Sequence, residues 1–152
     1  MVCPSKSIKV KSVGFTLVEI LVVIAIIGLL VSISTVGFST FRSHENLKIG
    51  QSGVLEGVRR AQSSARDGKG DSAWGVNLTN NSITVFKGIS YSGRDTAFDQ
   101  PLSMPGGVVL SGITEIVFSK LTGNTSNTGT ITLTNKYGTS NIEINAKGTL
   151  SY

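Results

Sequence analysis

An apolar run near the N-terminus constrains this chain more than any other feature. Residues 20–31 read ILVVIAIIGLLV and include no charged or strongly polar side chain. Extended to its aromatic edges at Phe15 and Phe38, the segment has 24 residues. A helix of that length would be roughly 36 Å long, enough to cross a hydrocarbon core of about 30 Å. The run therefore predicts a single membrane-spanning helix.

The charges on either side of the run predict its orientation. Lys6, Lys9 and Lys11 precede it without any acidic residue, and after Glu19 the next charge is Arg42. The positive-inside rule keeps the lysine flank in the cytoplasm and places everything after about residue 40 outside. The net charge is +5, but from residue 15 onward 11 Lys and Arg stand against 9 Asp and Glu, a net charge of +2. Most of the basicity thus belongs to the N-terminal flank and not to a nucleic-acid footprint.

Three kinds of N-terminal segment fit a basic flank followed by an apolar run. A secretory signal would be cut after the run, near residues 32–34. A lipoprotein would need a cysteine after the run, whereas Cys3, the single cysteine, precedes it. The third kind is a membrane anchor processed before the run.

Glu19 is the charge that an anchor must accommodate. A carboxylate near the bilayer centre costs on the order of 2.5–3.5 kcal/mol and usually has a partner. No cationic residue lies between Phe15 and Arg42, so a partner would be an N-terminal amine created by cleavage, best supplied by a neighbouring subunit. Alternatively, Glu19 lies at the headgroup boundary, where its carboxylate stabilises the helix N-terminus. This location explains the charge equally well.

The hexapeptide GFTLVE at residues 14–19, with lysines before it and the apolar run after it, resembles the class III signal of type IV pilins and type II secretion pseudopilins. The resemblance covers residues 6 to about 38. It implies that a prepilin peptidase cuts between Gly14 and Phe15 and methylates the new amine of Phe15. It also implies that Glu19 aligns subunits by meeting a neighbour's N-terminal amine. Val36 stands near the place where many members have proline, so the bend that proline gives is not implied here.

The resemblance further implies the partners and location of the protein. We expect contacts with other pilin or pseudopilin subunits through the N-terminal helix, with the prepilin peptidase and with an inner-membrane assembly platform. Before assembly the chain would lie in the cytoplasmic membrane in lipid, with its head outside. After assembly it would lie in a filament.

The rest of the chain predicts an α+β fold, and the resemblance implies that this fold is pilin-like. Apolar or small residues recur at steps of three and four up to Ala65, which predicts one long helix over residues 16–66. The pattern then becomes short alternating segments rich in Gly, Asn, Ser and Thr, which predicts antiparallel strands covered by the helix. Residues 88–106 are interpreted as a loop. We expect a leader at 1–14, a transmembrane and assembly helix at 15–38, an amphipathic stem helix at 39–67 and a β-rich head at 68–152. The layout resembles the minor pseudopilin-H and minor-pilin-T group.

Few residues suggest chemistry of their own. The chain has one cysteine and one histidine, His44, which are too few side chains for the usual metal sites or Cys–His catalytic sites. No paired carboxylates, activated nucleophile or phosphate-binding glycine motif is present, so we expect neither an enzyme nor a cofactor. The candidate nucleic-acid contacts are Arg59, Arg60, Arg66, Lys69 and Lys147.

Three functions follow as hypotheses. The first is a structural subunit of a pilus-like or secretion filament, a minor subunit more readily than a major one. The second is a minor pilin that captures DNA during uptake. The third is an uncleaved, membrane-anchored β-domain protein, for which replacement of Glu19 would have little effect.

Overall fold

The computed structural model describes the backbone of residues 14–152 and the side chains of residues 14–32 and 42–152. The predicted leader lies outside the described residues apart from Gly14. In chain order the elements are helix α1 (Leu17–Arg66), a 3-10 helix (Lys69–Asp71), β1 (Trp74–Leu78), β2 (Ser82–Lys87), β3 (Asp95–Ser103), β4 (Val109–Gly112), β5 (Glu115–Phe118), β6 (Gly129–Asn135), β7 (Gly138–Ile144) and β8 (Leu150–Ser151).

The predicted long helix is confirmed. Helix α1 ends at Arg66, and Gly68 follows in the left-handed conformation at φ 64°, where glycine has no steric penalty. The Gly68 N–H donates to the Ala65 carbonyl at 3.1 Å. The Leu121 N–H donates to the same carbonyl at 2.8 Å, so the helix end is tied to the head.

The chain divides into two compact units, one that ends at Phe38 and one that comprises Ser39–Tyr152. The second unit contains the C-terminal half of α1 and all eight strands of the described chain. The residues that form the hydrophobic core also lie in this unit.

The predicted antiparallel head is confirmed and consists of two four-stranded sheets. Sheet A has the order β3-β2-β1-β5, and sheet B has the order β4-β6-β7-β8. Strands β6 and β7 form a hairpin in which Asn135 pairs with Gly138 across a two-residue loop. Along β6, Ile131 and Leu133 are fully buried whereas Thr130 and Thr134 are exposed. This alternation is typical of an antiparallel sheet with one face on the core and one face in solvent.

The interpretation of residues 88–106 as a loop was wrong. Residues 95–103 of that stretch form β3, which pairs antiparallel with β2 from Ser82↔Ser103 to Lys87↔Asp95, with a register shift between Val85 and Lys87. Its sequence, DTAFDQPLS, has charges and a proline because β3 is the edge of sheet A, where these residues are tolerated. Period-two patterning was absent because no residue of β3 is buried.

Both sheets share one core with the stem part of α1. Val54, Val58 and Ala61 of the helix are fully buried in the same cluster as side chains from both sheets. At Gly57 the helix packs closely on β2, since a Cβ built there would lie 2.8 Å from Cγ2 of Ile83. Gly50, Gly53 and Gly57 thus permit close packing of the helix on the sheets.

Candidate functional site

The segment that carries the predicted processing site precedes helix α1 directly. Gly14 and Phe15 have no regular secondary structure, and the Phe15 side chain is 77% exposed. No atom comes within 4 Å of a Cβ built on Gly14. The Gly14–Phe15 peptide bond is therefore outside the helix, in open space within the described chain.

Thr16 is the N-cap of the helix, a role that the sequence analysis missed. Its Oγ1 accepts a hydrogen bond from the Glu19 N–H at 3.2 Å, and its carbonyl accepts one from the Ile20 N–H at 3.3 Å. A side-chain oxygen that satisfies a free N–H of the first turn stabilises a helix start by ~1 kcal/mol. The signal was present in the sequence, because Thr16-x-x-Glu19 has the spacing of a capping box.

Glu19 is the acidic residue of the first helical turn. Its charge lies where the helix dipole favours an anion. Among the residues that the structure describes, the Glu19 carboxylate forms no ion pair. The carboxylate is exposed and remains available to a cation from another molecule.

The apolar run forms the following turns of α1 with its side chains uncovered. The large apolar side chains from Ile20 to Val31 are between 45% and 65% exposed. Contiguous apolar surface of this kind marks a site of membrane or protein contact. Over the described residues, however, no helix is both long and apolar enough to traverse a bilayer. The single-pass topology expected from the sequence stays a prediction.

The structure separates the five candidate nucleic-acid contacts into two groups. Arg59 and Arg66 line one shallow cavity together with Gly148, the residue after Lys147. The Gln62 amide donates to the Lys147 carbonyl at 2.9 Å and to the Gly123 carbonyl at 3.0 Å, which fixes this turn against the helix. Within the described chain, none of these three cations has a carboxylate within 4 Å.

The other two candidates are engaged or lie apart. Arg60 is bound to Glu56 one helical turn earlier and reaches Gln100 of β3 at 3.4 Å. Lys69 lies in the 3-10 helix, where its carbonyl accepts the Trp74 indole N–H at 2.8 Å. The sequence alone could not divide the five, because Arg59 and Arg60 are adjacent in the chain but point about 100° apart on a helix.

The loop after the stem helix has its own electrostatic pair. Asp71 is bound by Lys120, whose hydrogen bond and positive charge hold the pKa of that carboxyl below its usual value. The Lys120 ammonium group is thus the cation that pairs with the loop at residues 67–71. No group of three or more His, Cys, Asp or Glu side chains that could hold a metal occurs in the described part of the chain.

His44 and Tyr137 join the stem helix to the β6–β7 hairpin. Their ring centroids are 5.4 Å apart with an interplanar angle of 32°. The Asn135 side-chain amide donates to the Ser43 carbonyl at 2.6 Å in the same place. His44 therefore has a packing role at the start of the stem.

Comparison with known proteins supports the assignment of the N-terminal segment. A family model described as the prokaryotic N-terminal methylation motif matches residues 14–35. No curated protein and no solved structure matches the chain. Residues 14–35 are thus a prokaryotic N-terminal methylation motif, the class III signal of type IV pilins and pseudopilins.

The matched motif lies at the start of the long helix of the fold. The motif coincides with the cap, the first turn and the apolar run of α1. The head that follows is α+β with antiparallel sheets. The chain thus combines a motif found in type IV pilins and pseudopilins with an arrangement that is consistent with a pilin-like fold. In general terms the motif implies other pilin subunits and a prepilin peptidase as partners.

Proposed function

We propose that this chain is a structural subunit, a minor pilin or pseudopilin, of a type IV pilus-like or type II secretion filament. The observation that carries the proposal is a methylation motif placed on a helix whose apolar side chains are uncovered. That helix continues into a stem packed on a β-rich head. No catalytic role is part of this proposal.

Processing after Gly14 fits the local chemistry. A protease must approach the backbone closely, and a residue without a side chain offers the least obstruction. Gly14 has open space around it, and the following Phe15 is outside the helix, so cleavage would not require unwinding of α1. The product would be a chain that begins with a methylated Phe15 and keeps Thr16 as its N-cap.

Two successive environments would cover the apolar run. In the cytoplasmic membrane, lipid would surround the helix in a single-pass arrangement, with the lysine flank inside and the head outside. When the subunit leaves lipid, the same side chains must be buried against the helices of neighbouring subunits, because apolar surface is unfavourable in water. A helix satisfies its own backbone hydrogen bonds in both environments.

Glu19 would align the subunits during this transfer. Its carboxylate has no cation within its own described chain and lies one turn from the new N-terminus. A methylated amine of a neighbouring subunit would complete the pair inside the packed bundle, where an unpaired charge is costly.

The experiment is to replace Glu19 by alanine in cells that carry the assembly machinery. We expect Glu19→Ala to be cleaved normally and to be lost from the sheared filament fraction. The matched control is Glu45→Ala, a partly exposed acid of the stem paired with Lys48 at 3.4 Å, which should be incorporated normally. A full-length precursor as the stable species, with the wild-type chain absent from the sheared filament fraction and no effect of Glu19→Ala, would instead support the uncleaved anchor.

A DNA-binding minor pilin is the second candidate function. The observation that favours it is the group of three cations without carboxylate partners, Arg59, Arg66 and Lys147, on one side of the head. The net charge of +2 from residue 15 onward gives it only weak general support. Phosphate contacts would make binding fall steeply with salt.

DNA retention at low and high salt tests this candidate. We expect Arg59→Gln and Arg66→Gln to weaken retention, and Arg60→Gln to leave it unchanged because Arg60 is already bound to Glu56. Absence of retention by the wild-type chain even at low salt would remove this function and leave the filament role untouched.

A further inference from the structure

Leu121 combines an unfavourable backbone conformation with an uncovered side chain. Its φ is 65°, in the left-handed region that residues with a large side chain rarely adopt. The side chain is 67% exposed. The Leu121 N–H donates to the Ala65 carbonyl at 2.8 Å, but a glycine would make the same hydrogen bond without a steric cost. The fold therefore does not require leucine here, and residues held in strained conformations occur preferentially at functional sites.

The loop that carries Leu121 is fixed in place on both sides of this residue. Lys120 is bound to Asp71 of the 3-10 helix. The Ser119 N–H donates to the Asn124 carbonyl at 2.8 Å. Leu121 is thus presented on an ordered loop, which has little backbone freedom left to lose when a partner covers the side chain.

Arg66 adjoins both this loop and a small cavity. A Cβ built on Gly123, two residues after Leu121, would lie 2.5 Å from Nε of Arg66, so the arginine side chain packs on the loop. Arg66 also lines an open cavity of about 260 Å³ together with Arg59 and Gly148. One surface therefore extends from Leu121 past Arg66 to Arg59.

This surface is positively charged. Among the described residues, neither Arg59 nor Arg66 has a carboxylate within 4 Å. The Gln62 amide donates to the carbonyls of Gly123 and Lys147, which places a third cation without such a partner at the turn beside the cavity. The dipole of α1 accounts for a cation in its last turn, but not for Arg59, about two turns earlier. The corner surface is defined here as Leu121, Arg59, Arg66 and Lys147.

Strand β8 leads away from the corner surface. Residues 145–149 form the turn between β7 and β8. From this turn β8 runs antiparallel to β7, with Leu150 opposite Ile144 and Ser151 opposite Glu143. The direction of the chain is therefore away from the cavity.

We propose that the corner surface binds an acidic segment of a partner protein that also carries an apolar residue. The apolar residue would pack on Leu121, and carboxylates of the segment would bind Arg66 and, at the cavity, Arg59. Complementary charge of this kind favours the correct partner over others. The exposed leucine favours a protein over DNA, because phosphates contact cations and gain nothing from an apolar side chain. This surface goes beyond the proposed function and does not depend on leader processing.

The test uses the full chain in detergent micelles, which cover the apolar run, and a displayed library of short random peptides. We expect the selected peptides to combine Asp or Glu with an apolar residue. A selected peptide is then synthesised and its affinity is measured by fluorescence anisotropy. A copy with Asn and Gln in place of Asp and Glu keeps the shape of each side chain but not its charge, so we expect its affinity to be about tenfold lower.

Protein variants separate the apolar and the charged parts of the corner surface. Leu121→Ala should lower the affinity for the peptide about tenfold. Its control is Ile89→Ala, an 83% exposed apolar residue of the loop between β2 and β3, which should have no effect. Arg66→Gln should lower the affinity about threefold. Lys136→Gln, an equal change of charge in the β6–β7 loop, should leave it unchanged.

The stability of Leu121→Gly distinguishes a binding role from a structural one. Glycine relieves the left-handed strain, which offsets its greater freedom in the unfolded chain. We therefore expect the urea midpoint of Leu121→Gly to be no lower than that of the wild type, while its affinity for the peptide falls as in Leu121→Ala.

Four results would overturn the proposal. They are selection of no peptides or of peptides without acidic residues, equal binding of the uncharged copy, unchanged affinity in Leu121→Ala, and a lower urea midpoint for Leu121→Gly. The first two use the wild-type chain, so they remain decisive whatever the variants do. DNA retention without peptide selection would assign the cations to nucleic acid and would equally overturn it.

Discussion

Replacing Gly57 by alanine tests how closely the stem helix packs on sheet A. The new Cβ would lie 2.8 Å from Cγ2 of Ile83 and 3.4 Å from Cγ2 of Val76. Ile83 is fully buried, and its Cγ2 is attached directly to Cβ, so this methyl group cannot move without a shift of strand β2. Gly53→Ala is the matched control, because its Cβ would meet only the terminal Cδ1 of Ile83, at 3.2 Å.

The magnitudes follow from two opposing effects. Alanine in place of glycine favours a helix by about 1 kcal/mol at either position. Overpacking a rigid core contact costs ~1–3 kcal/mol, and this cost applies chiefly at Gly57. We therefore expect Gly57→Ala to have a free energy of unfolding lower than that of Gly53→Ala by about 1–3 kcal/mol.

Urea unfolding of residues 39–152, the unit that contains the whole core, measures this difference. Circular dichroism would follow the helix and tryptophan fluorescence would follow Trp74, which is 3% exposed. Equal stability of the two variants would show that the helix does not approach Ile83 as closely as described, and the packing argument would be refuted.

Three further outcomes follow from local geometry. Thr16→Val should destabilise the first turn of the helix by ~1 kcal/mol while Thr16→Ser does not, and amide exchange of the first-turn N–H groups measures this; equal exchange in the two variants would contradict the cap. Lys120→Met should raise the pKa of Asp71 toward its usual value of 3.8, because the hydrogen bond and charge that lower it are removed; an NMR titration that gives the same pKa in both proteins would exclude that pairing. Gly112→Ala should cost at least about 1–3 kcal/mol in urea unfolding, because Gly112 has φ 90° and the new Cβ would lie 2.1 Å from the Thr130 carbonyl oxygen; a variant as stable as the wild type would contradict this close approach.

The sequence predicted the long helix and the antiparallel character of the head because both depend on local patterns. Steps of three and four in the stem place Val54, Val58 and Ala61 on one face, and these residues are buried. Alternation in Ile131 and Leu133 likewise predicted a strand with one buried face, as the structure has it. Patterns of this kind reflect which side of an element meets the core.

Features set by tertiary contacts were not predictable in the same way. Strand β3 lacks alternation because it is an edge strand without buried side chains, so its residues resemble a loop. The division of the strands into two sheets depends on pairing between distant residues, such as Trp74 with Phe118. The contrast between Arg59 and Arg60 arises from helix geometry and from the position of Glu56.

The residues of the N-terminal motif were predictable from the sequence, whereas their position at the start of helix α1 was seen in the structure. The spacing of Gly14, Phe15 and Glu19 predicted the processing motif, and the family match bears out the motif itself. Cleavage, methylation and the alignment role of Glu19 stay predictions. The cap at Thr16 could have been predicted from its spacing to Glu19.

The mass of the N-terminus after co-expression with a prepilin peptidase tests the central claim most directly. We predict a mature chain that begins at Phe15 and carries one additional methyl group, and we predict that Gly14→Val retains the leader because its side chain obstructs the peptidase. A wild-type chain with an intact leader, or one cut near Ser34, would contradict the account and leave an anchored or secreted β-rich domain.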